Sequence, residues 1–246
     1  MVHKIHKMKD SSDKFTISKS DIFDLPMRLL IIGRTGCGKS GCLGNLLLKP
    51  DFYRGDFLPE NIFIFSGSLE GDVKLHTIIT ELDIPQSNLF DNYDEEVGHE
   101  IYDMLKDNFN ERLKNKEKPE NSLIIFDDLG FANLQNSRKK NSIMDKLFSN
   151  GRKYLISTIT LNQRITQLNR TAREQASGII IFNQSNKDLE LAEKDFNYLP
   201  KPKLFKKMFR ENTKEKHDFL VINMSNGKNH YQDKDFKNID IEKLND

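Results

Sequence analysis

The sequence predicts an α/β fold, with a mainly parallel sheet flanked by helices and an antiparallel hairpin added near the C-terminus. Short apolar runs of strand length alternate with helical periodicity along most of the 246 residues. A glycine-rich turn from Gly33 to Gly38 joins the first apolar run to the first helical pattern. Late in the chain, Ser225-Asn226-Gly227 separates two β-type runs, a hairpin signal.

The elements follow in order. Met27 to Ile32 reads as a buried strand, and Leu43, Leu46 and Leu47 then mark a helix stopped by Pro50. Asn61 to Ser66 is a second strand, and Leu123 to Phe126 a third, reached through a helix near Glu95 to Leu113. Ile143, Met144, Leu147 and Phe148 share one helical face, and Asn150-Gly151 suits its C-terminal cap. Tyr154 to Thr160 and Gly178 to Phe182 supply two further strands, and Asp188 to Phe196 a helix. A basic, Pro-flanked stretch precedes the hairpin segments His217 to Met224 and Lys228 to Gln232.

This length suits a single α/β domain with tails: a polar arm over 1–24, the domain over 25–232 and a charged tail over 233–246. Lysine and arginine number 38 against 37 acidic residues, so any nucleic-acid surface must be a local patch. Cys37 and Cys42 lie in or beside the glycine-rich turn, where a disulfide would distort it, and a reducing, intracellular setting is expected. No window approaches the ~18 apolar residues of a membrane span, so neither secretion nor a membrane partner is expected.

Gly33-Arg34-Thr35-Gly36-Cys37-Gly38-Lys39-Ser40 matches the P-loop pattern without a gap. Such a loop turns backbone N–H groups toward phosphates, its lysine reaches the β- and γ-phosphates, and its serine hydroxyl meets Mg²⁺. All eight residues are therefore assigned to ATP, with Lys39 also catalytic and Ser40 also a metal ligand. Leu123 to Phe126 runs into Asp127-Asp128, a Walker B arrangement in which Asp127 is assigned to Mg²⁺ and Asp128 to the attacking water. Two acids after a strand can equally cap a helix. A strand inserted between the P-loop and Walker B strands would be Tyr154 to Thr160, followed by Leu161-Asn162-Gln163, making Gln163 a candidate γ-phosphate sensor against an ordinary surface glutamine. Arg152, just before that strand, can serve a neighbouring subunit's site or merely sit at a helix C-terminus. The fold class is thus a P-loop NTPase with a RecA-like, additional-strand sheet.

The order of P-loop, Asp-Asp, Arg152, apolar strand and Gln163-Arg164 resembles the FtsK/HerA superfamily, and within it the genome-packaging ATPases of large DNA viruses and virophages. The eleven-residue offset from Arg152 to Gln163 is similar to that family's spacing, and the resemblance covers about residues 27–200. Arg170 and Arg173 lie where the family carries a basic residue before its next strand, so the arginine finger stays open between Arg152 and these later arginines. Asp128 departs from the Asp-Glu of the cellular members, and counterparts of their DNA-recognition and membrane domains are not expected in this sequence. The resemblance implies a homo-oligomeric ring, hexameric or pentameric, with Arg152 acting in trans and hydrolysis driving double-stranded DNA into a capsid. It also implies a capsid vertex partner and a place in the cytoplasmic virus factory or the virion. Candidate DNA contacts are Arg138-Lys139-Lys140 and the group Lys201, Lys203, Lys206, Lys207 and Arg210, each of which can equally be a solvated face. The competing expectations are a nucleotide-gated capsid-assembly protein and a helicase-like DNA-remodelling ATPase.

Overall fold

A computed structural model describes residues 14–19, 22–129, 142–225, 227 and 230–245. Its elements are β1 (Arg28–Ile32), α1 (Lys39–Leu48), β2 (Ile62–Ser66), α2 (Val73–Glu81), β3 (Leu89–Phe90), α3 (Glu95–Lys114) and β4 (Ser122–Asp127). These are followed by α4 (Ile143–Asn150), β5 (Ile156–Asn162), α5 (Arg170–Gln175), β6 (Gly178–Phe182), α6 (Asn186–Phe196), α7 (Pro202–Asn212), β7 (Phe219–Asn223) and β8 (Tyr231–Gln232).

The described strands form one eight-stranded sheet in the order β3-β2-β4-β5-β1-β6-β7-β8. Pairings from β3 through β6 are parallel, whereas β6 to β7 and β7 to β8 are antiparallel. The expected inserted strand is β5, which lies between β1 and β4. Parallel strands carry their C-terminal residues to the same edge, so Ile32, Ser66, Asp127 and Asn162 all finish there.

Alternation along the strands divides the core in two. Leu29 and Ile31 join α1, α2 and the N-terminal segment, whereas Leu30 and Ile32 face the layer built from α3 to α7. With both faces covered, the central strands read as continuous apolar runs, the expected signature of a buried parallel sheet.

The chain boundaries differ from the sequence expectation. Ile22 and Phe23 are buried, and the Tyr53 hydroxyl donates to the Phe23 carbonyl at 2.7 Å, so the packed body does not begin at 25. At the other end Leu244 is buried and its carbonyl accepts from Lys207 Nζ, so the core does not stop at 232 either. The late basic stretch is the helix α7: Phe205, Met208 and Phe209 are buried at helical spacing, and Pro202 occupies the first turn, where no N–H partner is needed. Gly151 does not provide the left-handed cap of α4. It continues into a 3-10 turn over Gly151–Tyr154, and Leu155 takes the left-handed conformation at φ 57°. This removes Tyr154 and Leu155 from the expected strand, and β5 starts at Ile156.

Gly178 opens β6 against the ring of Phe23, and a Cβ there would lie 2.8 Å from Phe23 Cγ, inside van der Waals contact. Phe23 is fully buried and has nowhere to retreat. Gly178→Ala is therefore expected to destabilise the fold by about 1–3 kcal/mol in chemical denaturation, with partial recovery in the Gly178→Ala/Phe23→Leu pair. Wild-type stability in the single variant would show that the Phe23 ring does not pack there.

Candidate nucleotide site

The Gly33-to-Ser40 loop leaves β1 at the carboxyl edge and enters α1 at Lys39. Its start is anchored to the inserted strand, because Gly33 N–H donates to the Asn162 carbonyl at 2.9 Å. Gly36 and Gly38 have φ of 76° and 116°, which L side chains rarely adopt, and this lets successive N–H groups turn inward. At Gly33 a Cβ would run into Cys37 Sγ and come within 2.8 Å of Phe182. His217, from the loop before β7, closes the other side through a 2.8 Å hydrogen bond between Nδ1 and the Cys37 carbonyl. Arg34, Thr35 and Gly36 are exposed at the crest of the loop. Cys37 and Cys42 are free thiols, as expected. Burial pushes Cys42 up to about 12, so it remains an un-ionised packing residue.

Lys39 Nζ donates to the Gly33 carbonyl at 2.8 Å, which folds the ammonium over the mouth of the loop. Ser40 Oγ donates to Asp72 Oδ2 at 2.7 Å, a partner that the sequence reading did not include. Asp72 caps α2 through Oδ1, accepting from the N–H groups of Lys74 and Leu75. The pattern of an aspartate just before apolar residues Leu75 and Ile78 is an N-cap signal, but nothing local to it announces Ser40. Burial works against the Asp72 carboxylate, yet hydrogen bonds from Ser40, Leu75 and Lys74 and the nearby Lys74 charge leave its pKa below the ordinary value.

Asp127 ends β4 and is buried. Its Oδ2 accepts from Ser66 Oγ at 2.9 Å, a bond set by the pairing of Ser66 with Asp127 across β2 and β4. Burial raises its pKa, the Ser66 hydrogen bond opposes that, the charges of Asp128 and Asp72 add to it, and Lys39 opposes it. Protons therefore compete with a metal ion for Asp127 at a higher pH than for an ordinary carboxylate.

Asp128 leaves the strand in the left-handed region, at φ 48°, so the neighbouring acids differ in setting. Its backbone N–H reaches the Leu161 carbonyl, and its carboxylate receives Gln163 Nε2 at 2.8 and 3.0 Å. The structure thus brings Gln163 to Asp128 at the end of the inserted strand, and Gln163 itself is held by its N–H donating to Gln167 Oε1 at 2.9 Å.

Arg152 stands apart from this group. It lies in the turn before β5, at the amino edge of the sheet, beside Arg28, the first residue of β1, whose pKa is lowered by its own burial and then by the Arg152 charge. Arg28 and Gly33 are separated by the length of β1, roughly 17 Å at ~3.3 Å per residue. Arg152 therefore cannot reach the phosphate loop of its own chain. Arg173 is occupied by Asp195 Oδ2 at 2.7 Å and the Leu168 carbonyl at 2.6 Å, while exposed Arg170 pairs with Glu174 at 2.6 Å. Lys203, Lys207 and Arg210 are exposed on α7, with Lys201 at its N-cap and Lys206 half-buried. Arg138, Lys139 and Lys140 lie outside the described residues.

The oxygen-only set of the Ser40 hydroxyl and the Asp127 carboxylate suits Mg²⁺, which is ordinarily held by one or two protein oxygens together with phosphate and water. Among the described residues no cluster of three or more His, Cys, Asp or Glu forms a protein-only metal cage, and no helix is long and apolar enough to cross a membrane.

A model of the Poxvirus A32 protein family matches residues 88–242, more than half of the chain. The match takes in Asp127, Asp128, Arg152 and Gln163 and begins beyond the P-loop. A search of curated proteins found no significant match. Among solved structures, the chain is similar to the genome packaging NTPase B204 of Sulfolobus turreted icosahedral virus 2 in complex with AMP, at 16% identity and TM-score 0.56, covering 81% of this chain and 94% of that one. It is also similar to B204, the DNA-packaging ATPase of Sulfolobus turreted icosahedral virus, at 18% identity and TM-score 0.53, covering 82% and 94%. EssC (ATPases 2 and 3) of Geobacillus thermodenitrificans matches at 16% identity and TM-score 0.50 over 68% of this chain and 34% of that one. At these identities the likeness establishes the fold, that of a P-loop NTPase with a mostly parallel sheet and an antiparallel C-terminal hairpin.

Proposed function

The chain belongs to the Poxvirus A32 protein family, and we propose that it is an ATP-hydrolysing motor that drives double-stranded DNA into a viral capsid. The observation that carries this reading is the division of the site residues between the two edges of one sheet. The P-loop, Asp127 and the Asp128–Gln163 pair gather at the carboxyl edge, whereas Arg152 stands at the amino edge. An arginine that cannot serve its own loop but can face a neighbour's fits a homo-oligomeric ring, hexameric or pentameric, whose sites lie between subunits. B204, described as a DNA-packaging ATPase, shares the fold over most of both chains and supports the same direction.

In this reading the loop N–H groups and Lys39 bind the triphosphate of ATP. Ser40 and Asp127 would hold Mg²⁺, which when bound would supply positive charge beside the phosphate oxygens. Asp128 accepts a proton from the attacking water, and Gln163 fixes the carboxylate while standing where a γ-phosphate would be sensed. The neighbour's Arg152 supplies positive charge in the transition state. Exposed Lys203, Lys207 and Arg210 on α7 are the candidate duplex contacts, because a pump needs phosphate contacts without base readout. A capsid vertex protein completes the proposed assembly, in the cytoplasmic virus factory or in the virion.

Steady-state ATP hydrolysis with and without duplex DNA tests the proposal. Stimulation by duplex that weakens as salt rises is expected, with Lys39→Ala inactive throughout. Robust hydrolysis indifferent to DNA at every salt concentration would instead favour a capsid-assembly role for the same site.

A further inference from the structure

Asp72 divides its two carboxylate oxygens between two tasks. Oδ1 accepts the first free N–H groups of α2, from Lys74 and Leu75, and Oδ2 accepts the Ser40 hydroxyl at 2.7 Å. The second contact links the loop after β2 to a residue 32 positions earlier in the chain, so helix capping does not require it. Its chemistry bears on metal binding. A serine hydroxyl ligates a cation through an oxygen lone pair, and its proton must then go elsewhere. With the proton directed at Asp72, the lone pairs of Ser40 are left free on the side away from α2.

We propose that Asp72 is a positioning residue that orients the Ser40 hydroxyl for Mg²⁺ by accepting its proton. The inference rests on the ATP and Mg²⁺ reading above and adds a third carboxylate to it, beside Asp127 and Asp128. The Asp72 charge contributes to raising the pKa of Asp127, which places the two carboxylates in one neighbourhood. The role resembles that of outer partners of metal ligands generally, whose loss weakens metal binding about 10- to 100-fold.

Asn and Ser both cap helices about as well as Asp, so Asp72→Asn and Asp72→Ser keep the start of α2. In Asp72→Asn the amide oxygen retains the cap and the NH₂ group faces Ser40. The hydrogen bond is then reversed, and a donor occupies the lone pair that the metal needs. The readout is the affinity for a fluorescent ATP analogue in excess Mg²⁺ and in EDTA. In the wild type Mg²⁺ is expected to tighten binding. In both variants that tightening is expected to fall about tenfold or more, while binding in EDTA is unchanged or stronger, because a negative charge near the phosphates has been removed. Melting temperatures are expected to stay at the wild-type value. Undiminished tightening in either variant would overturn the role of Asp72 alone. A wild type whose nucleotide binding ignores Mg²⁺ would overturn the site reading and this inference together.

Discussion

Arg152→Ala is expected to lower ATP hydrolysis by the assembled protein about 10³- to 10⁵-fold while leaving nucleotide affinity unchanged, the magnitude associated with a transition-state arginine. The side chain is exposed in the turn before β5, so its removal empties no core position, and stability should be unaffected. Because Arg152 lies too far from its own P-loop, the expected effect depends on the proposed contacts between subunits. Mixing Arg152→Ala with Lys39→Ala subunits supplies the decisive form of the experiment. An intact loop on one variant can meet an intact Arg152 on the other, and partial recovery is expected in mixed assemblies. Wild-type hydrolysis by Arg152→Ala alone would remove the arginine from the reaction, and absence of recovery at every mixing ratio would argue against sites shared in this way.

Asp128→Asn is expected to reduce hydrolysis about 10²- to 10⁴-fold, the usual contribution of a positioned general base. Asparagine is the informative replacement because Asp128 sits at φ 48°, a region asparagine tolerates and alanine does not. The backbone N–H bond to Leu161 is retained, so a loss can be assigned to the missing carboxylate. Nucleotide and Mg²⁺ binding should persist, since Asp127 and Ser40 are untouched. Gln163→Ala, which removes the amide that holds Asp128 at 2.8 and 3.0 Å, is expected to give a smaller loss in the same step. Single-turnover rates measured at saturating ATP check both; an Asp128→Asn rate equal to the wild type would place the base elsewhere.

What the sequence disclosed follows from how local each signal is. The P-loop is contiguous, and its spacing alone locates Lys39 and Ser40 at the start of α1. Asp127 could be read because it directly follows the apolar run Leu123 to Phe126, and Gln163 because it lies just beyond the end of the inserted strand, at the same edge of the sheet. The strand order needed for Gln163 to meet Asp128 came from the additional-strand plan rather than from either residue. Ser66 and Asp72 were not legible in the same way. Their importance depends on pairing between β2 and β4 and on the close approach of two helix starts, neither of which leaves a mark in the residues themselves. The helix α7 is masked in the sequence by its charge: lysines and an arginine surround Phe205, Met208 and Phe209, so the helical spacing of these three stands within a predominantly basic run. At the N-terminus, Ile22 and Phe23 are a short apolar pair within a polar arm, too brief to predict that they complete the core beside α1. The sequence places Arg152 directly before the inserted strand, but its position at the opposite edge from its own loop depends on the sheet itself.

The most direct measurement of the motor proposal is displacement of a third strand from a triplex placed ahead of the protein on linear duplex DNA, followed in real time. With ATP and Mg²⁺, displacement is expected from the wild type, and none from Lys39→Ala or from wild type given a non-hydrolysable analogue. Steady ATP hydrolysis by a duplex-bound wild-type assembly that leaves the triplex in place would contradict translocation.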